Sequence, residues 1–249
     1  MEPTRLAAVP AATRRDRAVR PVKASDNRLF GITAAVAAVV VGVGSGAGLV
    51  GARAPGARPV TPLVLLHAAA FASWVALYGV QVTLVASGRT AVHRRLGYAG
   101  AALALAMLSI GYAVAIHAAR TGYAPVPGGN PLSFLIVPLG DLVVFAICVG
   151  IALYWRRTAA VHKRLMWLAT MTLMFASVTR LPYVRGRILS VLLVFVAVLA
   201  IAPVYERAMY GRVHRVTAWG STAMLLQLLL RRPIGASIWW HSFAAWLIK

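Results

Sequence analysis

The chain has very few acidic residues and a single cysteine. Only 5 of its 249 residues are Asp or Glu, against 26 Lys or Arg, which gives a formal net charge of +21. Cys148 stands alone, so an intrachain disulfide and a cysteine-based zinc site are both excluded. The motifs G-x-S-x-G, GK[ST] and H-E-x-x-H are absent as well. No hydrolase, kinase or metalloprotease is therefore predicted, and no other catalytic motif indicates an enzyme.

Apolar sequence, in contrast, is abundant. Hydrophobic residues make up 60% of the chain and charged residues 12%, which a water-exposed surface cannot accommodate. A helix crosses the hydrocarbon core with ~20 apolar residues. Long apolar runs cover 29–51, 61–87, 96–118, 132–154 and 188–205, and shorter ones 164–181 and 213–230. We therefore predict an all-α, polytopic transmembrane helical bundle of about seven spans.

A short phrase occurs twice between these runs. AVHRRL covers 91–96 and AVHKRL covers 160–165. Each follows an Arg-Thr, at 89–90 and 157–158, and precedes an apolar segment. The offset of 69 residues predicts a duplicated helical hairpin, with copies at about 61–118 and 132–183. His93 and His162 then lie at equivalent depths on one side of the membrane.

Most of the basic residues fall in segments on one side of the predicted membrane. The positive-inside rule then places the N-terminus and both His-containing turns on the cytoplasmic side of a bacterial inner membrane. We predict a basic, disordered cytoplasmic tail (1–28), the seven-span domain (29–230) and an amphipathic aromatic tail in the interface (231–249). The first tail either contacts anionic lipids or only sets the topology. Nucleic-acid binding is not predicted.

Glycines in the first apolar run have a spacing of four residues. Gly42 and Gly46 form one such pair, and Gly44 and Gly48 the other. This spacing predicts close approach of another helix. A dinucleotide-binding loop would need a preceding strand, which a membrane helix does not supply.

Two charged residues are predicted to meet within the membrane. Asp141 lies about 12 Å from the outer end of its run, and Arg180 lies near the outer end of the next one. Because an unpaired carboxylate is costly at this depth, we expect Asp141 and Arg180 to form a pair. That pair is either structural or part of a proton or ion pathway.

Four histidines form two predicted layers. His67 and His117 lie near the outer face, whereas His93 and His162 lie near the inner face. Paired imidazoles across a helical bundle hold b-type haems, so either layer is a candidate haem site. His67 shares a helix face with Phe71, Trp74, Tyr78 and Gln81, which could line a haem or a quinone or form a packing seam. Clustered arginines around the inner pair favour the alternative of a basic interfacial loop.

The sequence HRRLGYAG at 93–100, HKRLMWLAT at 162–170 and TRLP at 179–182 resembles a widespread group of uncharacterised bacterial multi-pass membrane proteins. The resemblance covers roughly 63–182. It implies location and fold, and it carries no activity with it. A looser similarity to di-haem b-type membrane cytochromes rests on the placement of the histidines.

The sequence therefore predicts an integral membrane protein whose biochemical function it does not specify. A redox protein would use the histidine pairs as ligands. A small-solute or proton transporter would use Asp141 and Arg180 at a cavity between the hairpins. A structural protein would need only its packing surfaces.

Overall fold

The computed structural model describes residues 14–54, 59–125, 129–184 and 186–249, with side chains from residue 26 onward. These residues form eight helices and no strand. The helices are α1 (Arg14–Gly51), α2 (Pro62–Ala86), α3 (Thr90–Arg120), α4 (Pro131–Tyr154), α5 (Ala159–Val178), α6 (Ile188–Tyr210), α7 (Arg215–Gly235) and α8 (Ile238–Leu247).

Five of the described helices are long and apolar enough to cross a membrane. They are the 26–51 part of α1 together with α2, α3, α4 and α6. The chain is thus a helical protein with the make-up of a multi-pass membrane protein, as its composition predicts.

Helix α5 is the centre of the bundle. It packs against α1, α2, α4, α6 and α7, and 13 of its 20 residues are buried. Other helices rather than lipid therefore surround most of it. This explains how α5 tolerates hydroxyl side chains: Thr170 and Thr172 donate to the carbonyls of Met166 and Ala169 within the same helix.

Close helix contact occurs at one of the two predicted glycine pairs. A Cβ at position 44 would lie 2.4 Å from the Ser177 carbonyl oxygen, and one at position 48 would lie 3.3 Å from Arg180 Cδ. Gly42 and Gly46 face open space. The prediction of a helix-approach surface is therefore confirmed for Gly44, whose partner is α5, whereas Gly48 lies against the side chain of Arg180, two residues beyond the end of α5.

Two predicted boundaries differ from the structure. Helix α1 begins at Arg14, so the second half of the tail predicted to be disordered is helical, and residues 1–13 lie outside the described part. Ala, Arg and Lys are good helix formers, and the apolar span supplies a helix for them to extend. Likewise, residues 231–235 belong to α7, and only α8 forms the short aromatic helix.

The helices run alternately between two ends of the bundle. At one end, called here the Asp26 end, α2, α4 and α6 finish and α3, α5 and α7 begin. Asp26 itself contacts Lys163 of α5 and Tyr210 of α6. At the other, the α8 end, Trp240 Nε1 donates to the Leu132 carbonyl oxygen over 2.8 Å. The four candidate histidines divide between these two ends.

Candidate functional site

His93 and His162 meet at the Asp26 end. Each is the fourth residue of its helix, α3 and α5, and both are half-buried. Their ring centres are 6.3 Å apart, and the ring planes are nearly perpendicular, at 81°. The two His-containing turns predicted to be equivalent thus bring their imidazoles together, whereas the common origin of the hairpins stays a prediction.

Both rings are held through Nδ1. His162 Nδ1 lies 2.8 Å from the carbonyl oxygen of Ala152, near the end of α4. The Gln81 amide on α2, oriented so that its nitrogen faces the ring, donates to His93 Nδ1 over 2.7 Å, and its oxygen accepts from the Gly97 amide over 3.2 Å. Each ring is therefore oriented by a residue of its own hairpin. In both rings, Nε2 is the nitrogen that takes no part in these hydrogen bonds.

A network of buried charges lies beside the pair. Glu206 of α6 is 0% exposed. Its Oε1 accepts from Arg164 Nε over 2.7 Å, and Arg164 Nη2 lies 2.7 Å from the same oxygen in an ion pair. Thr217 donates to the same oxygen over 3.1 Å, and the His214 amide donates to Oε2 over 2.8 Å. The carboxylate is fully hydrogen-bonded, so the network joins α5, α6 and α7 without offering a free group.

No sequence pattern points directly to Glu206, which follows the last residue of its predicted apolar run. Its role could have been suspected because acids are so scarce in this chain and a carboxylate at the end of an apolar span needs a partner. Asp26 is held similarly: Lys163 forms an ion pair with it, and Tyr210 donates to Oδ1 over 3.1 Å.

His214, between α6 and α7, caps a helix. Its Nδ1 accepts from the Val216 amide over 3.2 Å at the start of α7. Burial, with the nearby charge of Arg164, lowers the pKa of His214 below its ordinary value, despite the opposing effect of Glu206. The neutral ring is the form that can accept this hydrogen bond.

The outer histidines are not arranged as a pair. His67 lies against Phe71, with ring centres 4.1 Å apart and ring planes tilted by 35°. Its buried Nδ1 has no hydrogen-bond partner in the described part of the chain. His117 is exposed on α3, and no ring contact joins it to His67 among the described residues. The structure therefore brings together one of the two candidate pairs.

Asp141 has a different partner from the predicted one. It forms an ion pair with Arg231 of α7, while Arg180 is exposed and lies against Gly48 of α1. The prediction of an Asp141–Arg180 pair is wrong because α7 packs beside α4 and brings its own arginine to the carboxylate. In the sequence, Arg231 falls in the predicted tail at 231–249, because the last apolar run ends at residue 230.

Within the described ranges, no three His, Cys, Asp or Glu side chains come together as a metal site. The His93–His162 pair therefore offers two protein ligands and no third. Comparisons with known proteins give no further guide, since no family model, curated protein or solved structure matches the chain.

Proposed function

We propose that the protein binds a b-type haem between His93 and His162 and acts as a one-electron carrier in the membrane. The observation that carries this proposal is the 6.3 Å separation of the two ring centres. Two imidazoles on opposite sides of one metal, each bound through nitrogen at about 2 Å, have their ring centres about 6 Å apart. The pair is thus near the spacing that bis-histidine ligation needs.

The arrangement of the ring nitrogens supports the same proposal. Histidines that bind a metal through one nitrogen are oriented through the other by a carbonyl or another polar group. The Ala152 carbonyl does this for His162. At His93 the Gln81 amide donates to Nδ1, which places the ring proton on Nε2. Metal binding through Nε2 therefore requires the amide to turn over, so that its oxygen accepts from Nδ1–H and its hydrogen bond with the Gly97 amide is lost.

A haem fits two protein ligands better than a bare ion does. A zinc ion takes three or four protein ligands, whereas a haem brings its own four nitrogen donors and needs only the two axial positions. Gly97, one turn beyond His93 on the same face of α3, has open space where a side chain would project. The exposed Arg94 and Arg95 are available to pair with the haem propionates.

We further propose that α5 and α7 also span the membrane, giving seven spans with the Asp26 end on the cytoplasmic side of a bacterial inner membrane. The basic residues at this end support the orientation, and the basic N-terminal segment would contact anionic lipids. Labelling of Thr90→Cys and Gly129→Cys in a Cys148→Ser background tests it. Labelling of position 90, rather than 129, by an impermeant reagent in intact cells would reverse the orientation.

Haem content in histidine variants tests the binding site. His93→Ala and His162→Ala, expressed with added haem precursor, should each lose most of the haem that copurifies with the wild type. His67→Ala and His117→Ala are matched controls and should retain it. Retention in the first two variants with loss in the controls would transfer the site to the other end of the bundle and refute the proposal.

A further inference from the structure

A groove of about 520 Å³ lies between α1 and α2, and it is called here the α1–α2 groove. Small residues form both of its walls: Gly31, Ala35 and Ala38 on α1, and Ala76 and Gly79 on α2. A side chain at either glycine would project into open space. The groove therefore exists because these residues leave room between two helices that otherwise pack together.

The groove opens on the surface of the bundle that faces lipid. Ala35, Ala38 and Ala76 are exposed, and α1 and α2 are both long and apolar enough to cross a membrane. The lining is apolar except for Thr83, whose hydroxyl donates to the Gly79 carbonyl oxygen over 2.9 Å. Because this hydroxyl is used within its own helix, the lining favours hydrocarbon over a polar group.

Arg28 continues the α1 wall of the groove towards the Asp26 end. It precedes Gly31, Ala35 and Ala38 by three, seven and ten residues, which is the spacing of residues on one face of a helix. Its side chain is exposed. The acidic residues described at this end form ion pairs with α5, so their charges are already balanced. An anionic group at this end of the groove would therefore meet the charge of Arg28.

We infer that the α1–α2 groove binds one acyl chain of an anionic phospholipid, whose phosphate group pairs with Arg28. The chain lies along the α1 wall for about 10 Å, from Gly31 to Ala38. It contacts protein on both sides, so it gains more dispersion attraction than a chain beside a smooth helix. Such a site accounts for the anionic-lipid contact proposed above and requires that α1 and α2 cross the membrane. It does not depend on haem, because lipid retention and haem content are measured separately and either can fail alone.

A second copy of the chain fits this face less well. Two copies related by a two-fold axis along the membrane normal place identical residues at the same depth. Packing of α1 on α1 would then bring two Arg28 side chains together, and like charges at an interface are unfavourable. An anionic phospholipid supplies hydrocarbon for the groove and the opposite charge for Arg28.

The test compares variants that fill the groove with one that does not. Gly31→Leu and Gly79→Leu fill it from its two walls, and Gly42→Leu is the matched control, because Gly42 also faces open space on α1 and does not line the groove. Arg28→Gln removes the headgroup contact, and Arg53→Gln, exposed beyond the other end of α1, is its control. The full chain is reconstituted into vesicles of equal phosphatidylglycerol and phosphatidylcholine and extracted into detergent, and native mass spectrometry counts the retained phospholipids.

We expect the wild type and Gly42→Leu to retain one phospholipid per chain, with phosphatidylglycerol preferred, and Gly31→Leu and Gly79→Leu to lose it. Arg28→Gln should lower the preference for phosphatidylglycerol about fivefold, whereas Arg53→Gln should leave it unchanged. No retained lipid in the wild type, or equal retention in the groove-filling variants and Gly42→Leu, would overturn the inference. Equal retention of both lipids by the wild type, or a dimer that Gly31→Leu abolishes, would also overturn it.

Discussion

Arg164 of α5 and Glu206 of α6 form a buried ion pair in which two guanidinium nitrogens lie 2.7 Å from the same carboxylate oxygen. Arg164 also donates from Nη1 to the Ala160 carbonyl oxygen over 2.8 Å. The pair fixes the start of the central helix, two residues after His162. It therefore supports the position of His162, one of the two proposed haem ligands.

Removing one partner of this pair should destabilise the protein strongly. Glu206→Gln removes the closer carboxylate and leaves the buried Arg164 charge with only Asp26, whose Oδ1 is 3.8 Å from Nη2, so we expect a loss of up to about 3–5 kcal/mol. Replacement of both residues, Arg164→Met with Glu206→Met, should cost less than Glu206→Gln alone, because no buried charge remains. Thermal melting in detergent measures both. A double variant that is no more stable than Glu206→Gln would show that the pair is not the source of the effect.

The partner of Asp141 can be established by two double-variant cycles. Asp141→Asn combined with Arg231→Gln should show an interaction of at least about 1 kcal/mol, because residues in one ion pair are not additive. Asp141→Asn combined with Arg180→Gln should be additive within about 0.5 kcal/mol. Melting temperatures of the single and double variants supply both cycles. Additivity in the first cycle and coupling in the second would restore the partner predicted from the sequence.

The two glycine pairs of α1 give opposite expectations for the same substitution. Gly44→Ala places a Cβ 2.4 Å from the Ser177 carbonyl oxygen, so α1 must move away from α5, and we expect a loss of about 1–3 kcal/mol. Gly42→Ala faces open space and should be neutral or stabilise by up to about 1 kcal/mol, because Ala favours helix. If both variants melt alike, the α1–α5 contact is not as close as described.

His214 should make stability depend on pH. Its pKa is lowered from 6.5 in the folded state, so the unfolded state binds the proton more readily. The stabilising contribution is fully present above about pH 6.5 and is lost as the pH falls below it towards the lowered pKa. His214→Asn keeps a capping oxygen without a titrating group and should flatten this dependence. Equal slopes for wild type and variant between pH 7 and pH 5 would contradict the assignment.

The sequence predicted the helical class well because burial of apolar helices in lipid leaves a strong compositional signal. It predicted less about α5 and α7, the two shorter runs. Helix α5 is surrounded by other helices, so its hydropathy does not need to match lipid. In such a helix, the polar residues bind partners on neighbouring helices, and a single sequence does not show which helices are neighbours.

The repeat illustrates the same limit. Arg95 and Arg164 occupy equivalent positions in the two phrases, yet Arg95 is exposed and Arg164 is buried against Glu206. The phrase predicts where both histidines lie along their helices. It does not predict that only the second copy has an acidic partner, because that partner comes from a helix outside the repeat.

Asp141 and Arg180 show that the predicted depth of two charged residues in the membrane does not by itself identify an ion pair. A count of residues along each apolar run predicts that both charges lie in the outer half of the membrane. It does not predict on which face of its helix each side chain lies. Arg231 was available at a similar depth from α7 and lies on the face that packs against α4.

The visible absorption spectrum of the purified wild-type protein tests the central claim most directly. The protein, expressed with adequate haem supply, should show a Soret band, and the reduced sample should show the sharp visible bands of a six-coordinate, bis-histidine haem, at one haem per chain. A protein that is folded, as judged by its melting transition, and shows no Soret band would contradict the proposed function.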